Sequence, residues 1–177
     1  MGYVYGSIGA VLAIVVSSIG SCIGVGKAGQ LAGGFLSKDP SKFTAMLILQ
    51  LLPATQGLYG FIVAFMALSQ LGMLGGGGVV VNNYEGLAML VACLPITVIG
   101  FVSAIFQGKV VMAGMEMCVK QEGQTGHALL MAVLVEIFAI FSFVISLLAV
   151  LGVLGTGITM PAETVDPSAG AAFLALV

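Results

Sequence analysis

One carboxylate stands alone in the most apolar part of this chain. Glu136 lies within LLMAVLVEIFAIFSFVISLL, about ten residues, or ~15 Å of helix, from the nearest polar break. A charge at such depth in hydrocarbon costs at least ~3 kcal/mol on insertion scales, and residues of this kind are functional by default. Gln107 sits about ten residues inside the apolar run that precedes it, at a similar depth. A further polar group is set into ILQLLPATQGLYGF, residues 48–61. There Leu52, Thr55, Gln56 and Tyr59 fall at i, i+3, i+4 and i+7, one face of one helix. Thr55 and Gln56 are roughly twelve residues, ~18 Å, into their run. Pro53 has no N–H to give and disturbs the turn before it, so a nearby carbonyl is freed and must find another partner in lipid.

A threonine hydroxyl, two glutamine amides, a freed carbonyl and a carboxylate make about five oxygens converging at one depth, a set that suits a hard cation. A proton needs only the carboxylate and an apolar pocket. The remaining oxygens gain a purpose when they replace the hydration shell of an alkali ion. A monovalent cation on one carboxylate leaves a neutral unit that can face lipid, whereas a divalent ion leaves a net charge. The expected ligand is Na⁺, with Li⁺ as a mimic. Three alternatives stay open: a proton carried by Glu136 on the same scaffold, a small cation channel with Glu136 as its filter, and a structural scaffold, which leaves Glu136 unexplained. The chain shows no nucleophile–base pair. GVGKAG (24–29) lacks Ser or Thr after Lys27 and lies in an apolar run, so neither catalysis nor nucleotide binding is expected of the chain by itself.

The elements that must position these groups follow from composition. Of 177 residues, 60% are hydrophobic and 7% charged, with a mean hydropathy of +1.21. A soluble domain carries about 25% charged residues, so the chain reads as an all-α membrane protein with almost nothing outside the bilayer. A net charge of −2 argues for no nucleic-acid partner. Apolar segments at roughly 4–32, 43–71, 85–117 and 126–155 are each long enough to span. The N-terminus lacks a basic region and its apolar run continues too far for a signal peptide, so it is expected to persist as a helix. The breaks are SKDPSK (37–42), the glycine-rich GMLGGGGVVVNNYEG and the short CVKQEGQTGH. Lys27, Lys38, Lys42, Lys109 and Lys120 all lie in or beside the first and third breaks. Positive residues stay on the cytoplasmic side, so the lysine-bearing loops are expected there and both termini outside.

The chain also repeats itself. Ser21 to Lys27 and Ser103 to Lys109 share a Ser-x-Ile-x-x-Gly-Lys frame, while Phe61, Leu68, Leu71 and Gly72 recur 80 residues on as Phe141, Leu148, Leu151 and Gly152. A repeat of two helices restores the same orientation, giving two tandem helical hairpins, 1–80 and 81–155, followed by an extension, 156–177. Under that offset Gln56 falls on Glu136. Gly6, Gly9, Gly20, Gly24, Gly26, Gly29 and Gly33 crowd the first helix, and Gly20–Gly24 and Gly29–Gly33 fit the small-xxx-small spacing of close helix approach. They predict a tightly packed inner layer. Cys22, Cys93 and Cys118 have neither disulfide nor zinc spacing and are expected to be packing residues. Pro95 is expected to kink the third helix, Glu116 and Lys120 to pair at i, i+4, Asn82 and Asn83 to lie in a loop, and His127 to be solvated.

LILQLLPATQGLYGF, FQGKVVMAG around Gln107 and VEIFAIFSFVISLL around Glu136 closely resemble the proteolipid rotor subunit of bacterial sodium-translocating V-type ATPases. The resemblance covers nearly all of residues 1–155. It implies many copies of the chain forming a homo-oligomeric ring in the plasma membrane of a bacterium. The ring would turn against a stator subunit with an essential arginine, contact central-stalk subunits on the cytoplasmic side, and be driven by ATP hydrolysis in a separate soluble head. It further implies Na⁺ bound by the carbonyl of Leu52 and the side chains of Thr55, Gln56, Gln107 and Glu136, with Tyr59 hydrogen-bonded to the glutamate and keeping the site shut. Two features depart from the family pattern: the tail after residue 155 and the Gly75-Gly76-Gly77-Gly78 run.

Overall fold

A computed structural model describes residues 1–75 and 79–155, with the side chains of 154 and 155 excepted. The expected extension 156–177 and the last three glycines of the Gly75–Gly78 run lie outside the described residues. Every regular element among the described residues is helical: α1 (Gly2–Leu36), α2 (Phe43–Leu51), α3 (Thr55–Gln70), α4 (Asn83–Lys120) and α5 (Thr125–Gly155). A short 3₁₀ turn at Leu52–Ala54 joins α2 to α3, so Pro40–Gln70 is one broken membrane-crossing stretch. Four stretches are long and apolar enough to cross a membrane. The helices overrun the expected segments: α1 has 35 residues and α4 has 38, so each extends more than ~50 Å against a hydrocarbon thickness of ~30 Å.

Helices α1 and α4 form the inner pair, and glycine is what lets them close. A Cβ built on Gly24 would lie 2.6 Å from the carbonyl oxygen of Ala104, and one on Gly20 would lie 2.6 Å from that of Phe101. Only backbone fits against backbone there. Helix α3 lies on α1 with Gly57 and Gly60 seated on Ser21 and Ser17, and α5 lies on α4 with Gly114 against Ala128. The expected inner layer is present but narrower than the glycine count suggests. Gly26 and Gly33 meet nothing within 4 Å, and Gly29 meets only the side chain of Gln50.

Several local expectations are corrected. Asn82 is not simply a loop residue. It caps α4, with its side chain accepting from Glu85 N–H at 2.9 Å while Glu85 Oε2 accepts from Asn82 N–H at 2.8 Å, a capping box that uses both orphan donors. Cys93 and Cys118 are buried as expected, but Cys22 is exposed. Pro95, where a kink is expected, lies inside α4, and the neighbouring Ile96 N–H donates to Ser146 Oγ at 3.1 Å. The ion pair among the described residues is Lys42–Glu122 at 3.1 Å, joining the two short loops, rather than Glu116–Lys120. Both short loops therefore lie at the same end of the bundle. His127 is exposed.

Candidate ion-binding site

The break after α2 decides where the second membrane stretch presents its polar face. Pro53 opens the turn, Thr55 N–H bonds the Leu52 carbonyl, and Gly57 N–H turns sideways to Ser21 Oγ at 2.8 Å. The helix restarts as α3 with Gln56 directed at α4 and Tyr59, one turn on, directed at α5. Glu136 projects from α5 toward both.

Its two carboxylate oxygens are held separately. Tyr59 O–H donates to Oε1 at 2.8 Å, and Gln107 Nε2 donates to Oε2 at 3.4 Å and to the Ala132 carbonyl at 3.2 Å. Gln107 Oε1 in turn accepts from Gln56 Nε2 at 2.6 Å. Gln56 and Gln107 are completely buried, and Glu136 retains 8% of its surface. At the end of this chain of amides, Gln56 Oε1 is buried with no donor. An acceptor left so costs about 1–3 kcal/mol, a cost that a cation placed against that oxygen would remove.

Gln56, Tyr59, Gln107 and Glu136 are thus brought into one hydrogen-bonded network. Gln56 reaches the carboxylate through Gln107 rather than directly. Leu52 and Thr55, just before Gln56 on the broken turn, bond each other, Thr55 Oγ1 donating to Leu52 O at 2.9 Å. All the candidate ligands are oxygen or amide groups. Among the described residues no three His, Cys, Asp or Glu side chains cluster as a transition-metal site would need. Three further participants escaped the sequence reading. Ala132 supplies its carbonyl to Gln107, and the repeat held the signal, since Ala132 is the counterpart of Leu52. Ser21 holds the restarted helix, and its mark was its place in the repeated frame. Phe143 stacks on Tyr59 with ring centroids 5.0 Å apart, a contact that only the packing of α3 on α5 creates.

The sequence pattern of the family formed by the C subunit of ATP synthase matches residues 8–67 and again residues 90–149. The chain belongs to that family. The first matched stretch holds Gln56 and the second holds Gln107 and Glu136, so the network is built across the two copies. The chain is 41% identical over 150 residues to the V-type sodium ATPase subunit K of Enterococcus hirae, covering 85% of this chain and 92% of the relative. It is 35% identical over 150 residues to the A-type ATP synthase subunit K of Methanocaldococcus jannaschii, covering 85% of this chain and 63% of that one. Membership makes it a multi-pass rotor subunit of an ion-translocating ATPase, a part of that machine other than its catalytic head.

Proposed function

We propose that the chain carries Na⁺ across a bacterial plasma membrane, one ion at Glu136 per four-helix unit, as a ring of copies turns against a stator. The observation that carries this reading is the orphaned, fully buried Gln56 Oε1 beside Gln107 and Glu136. A proton on Glu136 would leave that oxygen without a partner, whereas a cation between the amides and the carboxylate would satisfy it and cancel the charge. Glutamine amides can turn their oxygens inward, and Thr55 Oγ1 with the Leu52 carbonyl would complete the shell from the broken turn. The relative in Enterococcus hirae is by name a sodium ATPase subunit, which favours the same ion.

Tyr59 holds Glu136 Oε1 from inside, so the carboxylate stays turned in while an ion is bound. An arginine on the stator would offer an alternative countercharge and let the ion leave. The lysine-bearing loops, tied by Lys42–Glu122, face the cytoplasm and the central stalk, with both termini outside and lipid around the rim. Carbodiimide labelling of Glu136 in the isolated ring tests the ion. Na⁺ at neutral pH protects Glu136 if the reading holds, and labelling that responds only to pH assigns the site to protons. Free Na⁺ flux through the isolated ring in liposomes would instead make the chain a channel.

A further inference from the structure

Helix α1 supplies no ligand to the proposed ion site, yet it touches both sides of it. Gln56 and Gln107, the two amides that meet at 2.6 Å, are each flanked at i−3 and i+1 by a residue pressed against α1. Around Gln56 these are Pro53 and Gly57, and around Gln107 they are Ala104 and Gly108. A Cβ built on Gly24 would lie 2.8 Å from Pro53 Cβ on one side and 2.6 Å from the Ala104 oxygen on the other. One built on Gly108 would lie 2.7 Å from Gly24 Cα. One turn earlier on α1, Ser21 Oγ accepts the Gly57 N–H at 2.8 Å.

Every member of this arrangement is buried: Ser21 and Gly24 on α1, Pro53 and Gly57 at the break, Ala104 and Gly108 on α4. In a close-packed interior such contacts transmit a displacement rather than absorb it. The backbone at Gly24 therefore acts as a spacer between the broken turn and α4. Ser21 ties the start of α3 to the same spacer, taking up one of the N–H groups that a helix start leaves without an intrahelical partner. We propose that Ser21 and Gly24 are positioning residues that fix the separation of the Gln56 and Gln107 amides and thereby decide which alkali ion the site accepts.

Selectivity between hard cations is a matter of cavity size, ligand number and flexibility, and alkali ions differ in radius far more than in chemistry. The oxygens of the site come from Leu52, Thr55 and Gln56 on one side of the spacer and from Gln107 and Glu136 on the other. A side chain added at Gly24 drives the two sides apart, and the smallest ion loses most from a wider gap. Removal of the Ser21 hydroxyl releases the start of α3 and loosens the same gap. Gln56 Oε1, buried without a donor, hangs from the helix that Ser21 ties, so it is the oxygen whose reach depends most directly on that bond.

The inference rests on the sodium reading, and the test tells the two apart. Glu136 is labelled with a carbodiimide in membranes that hold the full complex, against rising Li⁺, Na⁺ or K⁺ in turn. In the unaltered chain Na⁺ and Li⁺ should protect. Ser21→Ala should raise the Na⁺ needed for half-protection about fivefold, the factor that one net hydrogen bond commands. The Li⁺ needed should rise by more, and Ser21→Thr, which keeps the hydroxyl, should restore both. Gly24→Ala should move the preference further from Li⁺ and let K⁺ begin to protect. Labelling of Ser21→Ala without any alkali ion should match the unaltered chain, because a proton needs only the carboxylate. If Gly24→Ala fails to assemble, the two Ser21 variants decide. A preference between Na⁺ and Li⁺ that stays put in Ser21→Ala, whether both affinities fall together or neither moves, overturns the inference and leaves the sodium reading standing. An unaltered chain that no alkali ion protects overturns both.

Discussion

Tyr59 spends its only O–H on Glu136 while its ring rests on Phe143. Tyr59→Phe keeps the stack and removes the donor. A net hydrogen bond to a charged group is worth about 1.5–3 kcal/mol, so Na⁺ is expected to bind at least about tenfold more weakly and to leave faster, which radiolabelled Na⁺ exchange on isolated rings would report. Unchanged exchange would deny Tyr59 its restraining role. Gln107→Leu should do more, because it strips one group from the carboxylate and orphans the Gln56 amide as well. Na⁺ protection of Glu136 from carbodiimide is then expected to vanish. These residues were legible in the sequence because a carboxylate or amide in hydrocarbon has no innocent explanation. Their bonding order was not. Nothing in a linear pattern says that Gln56 meets Gln107 before it meets Glu136, or that Thr55 turns to Leu52, since those choices are made by side-chain rotamers once α3, α4 and α5 have closed.

At the scale of elements, the break at Leu52–Ala54 is the feature that separates the second span from the fourth. The counterpart of Pro53 in α5 is Val133, and α5 is unbroken. Pro53→Ala should let α2 and α3 fuse, removing a helix penalty of about 3 kcal/mol while drawing the Leu52 carbonyl back into the ladder. The expected outcome is a chain at least as heat-resistant as before with Na⁺ affinity reduced about tenfold, measured by scanning calorimetry and ion titration on one sample. Lost stability with unchanged affinity would show that the break serves packing. The first loop carries a pH-sensitive element of its own. Ser41 donates to Asp39 through both its hydroxyl and its N–H, at 2.6 and 3.0 Å, which holds the Asp39 carboxyl below its ordinary 3.8. A depressed folded value means that the contribution is present above 3.8 and is lost as pH falls through the lower folded value. Hydrogen exchange at Ser41 should therefore rise on acidification relative to the remaining loop, and Asp39→Asn should abolish the pH response. Helices, loops and repeat were all visible as pattern. Asn82 and Glu85 spelled a capping box within the glycine-rich stretch, yet loop composition hid it.

At the scale of the whole molecule, the glycine pattern of α1 was readable but ambiguous, because a doubled chain needs small residues on two faces and the sequence does not label them. Gly20 and Gly24 turned out to serve the internal joint, Gly26 and Cys22 to stand open, and only the packing of α1 on α4 could divide them. That division has a thermodynamic consequence. The hydrogen-bonded network joins α3 of one hairpin to α4 and α5 of the other, so the proposed cation would clamp the internal joint, and ligand that binds only the folded state stabilises it by about 2.7 kcal/mol at a hundredfold excess over Kd. Thermal unfolding of the chain in detergent should consequently shift to higher temperature with Na⁺, hardly at all with K⁺, and Glu136→Gln should erase the difference. If Na⁺ raised the unfolding temperature of Glu136→Gln as much as that of the unaltered chain, the stabilisation would arise from screening at the loops, and the clamp between hairpins would have to be abandoned.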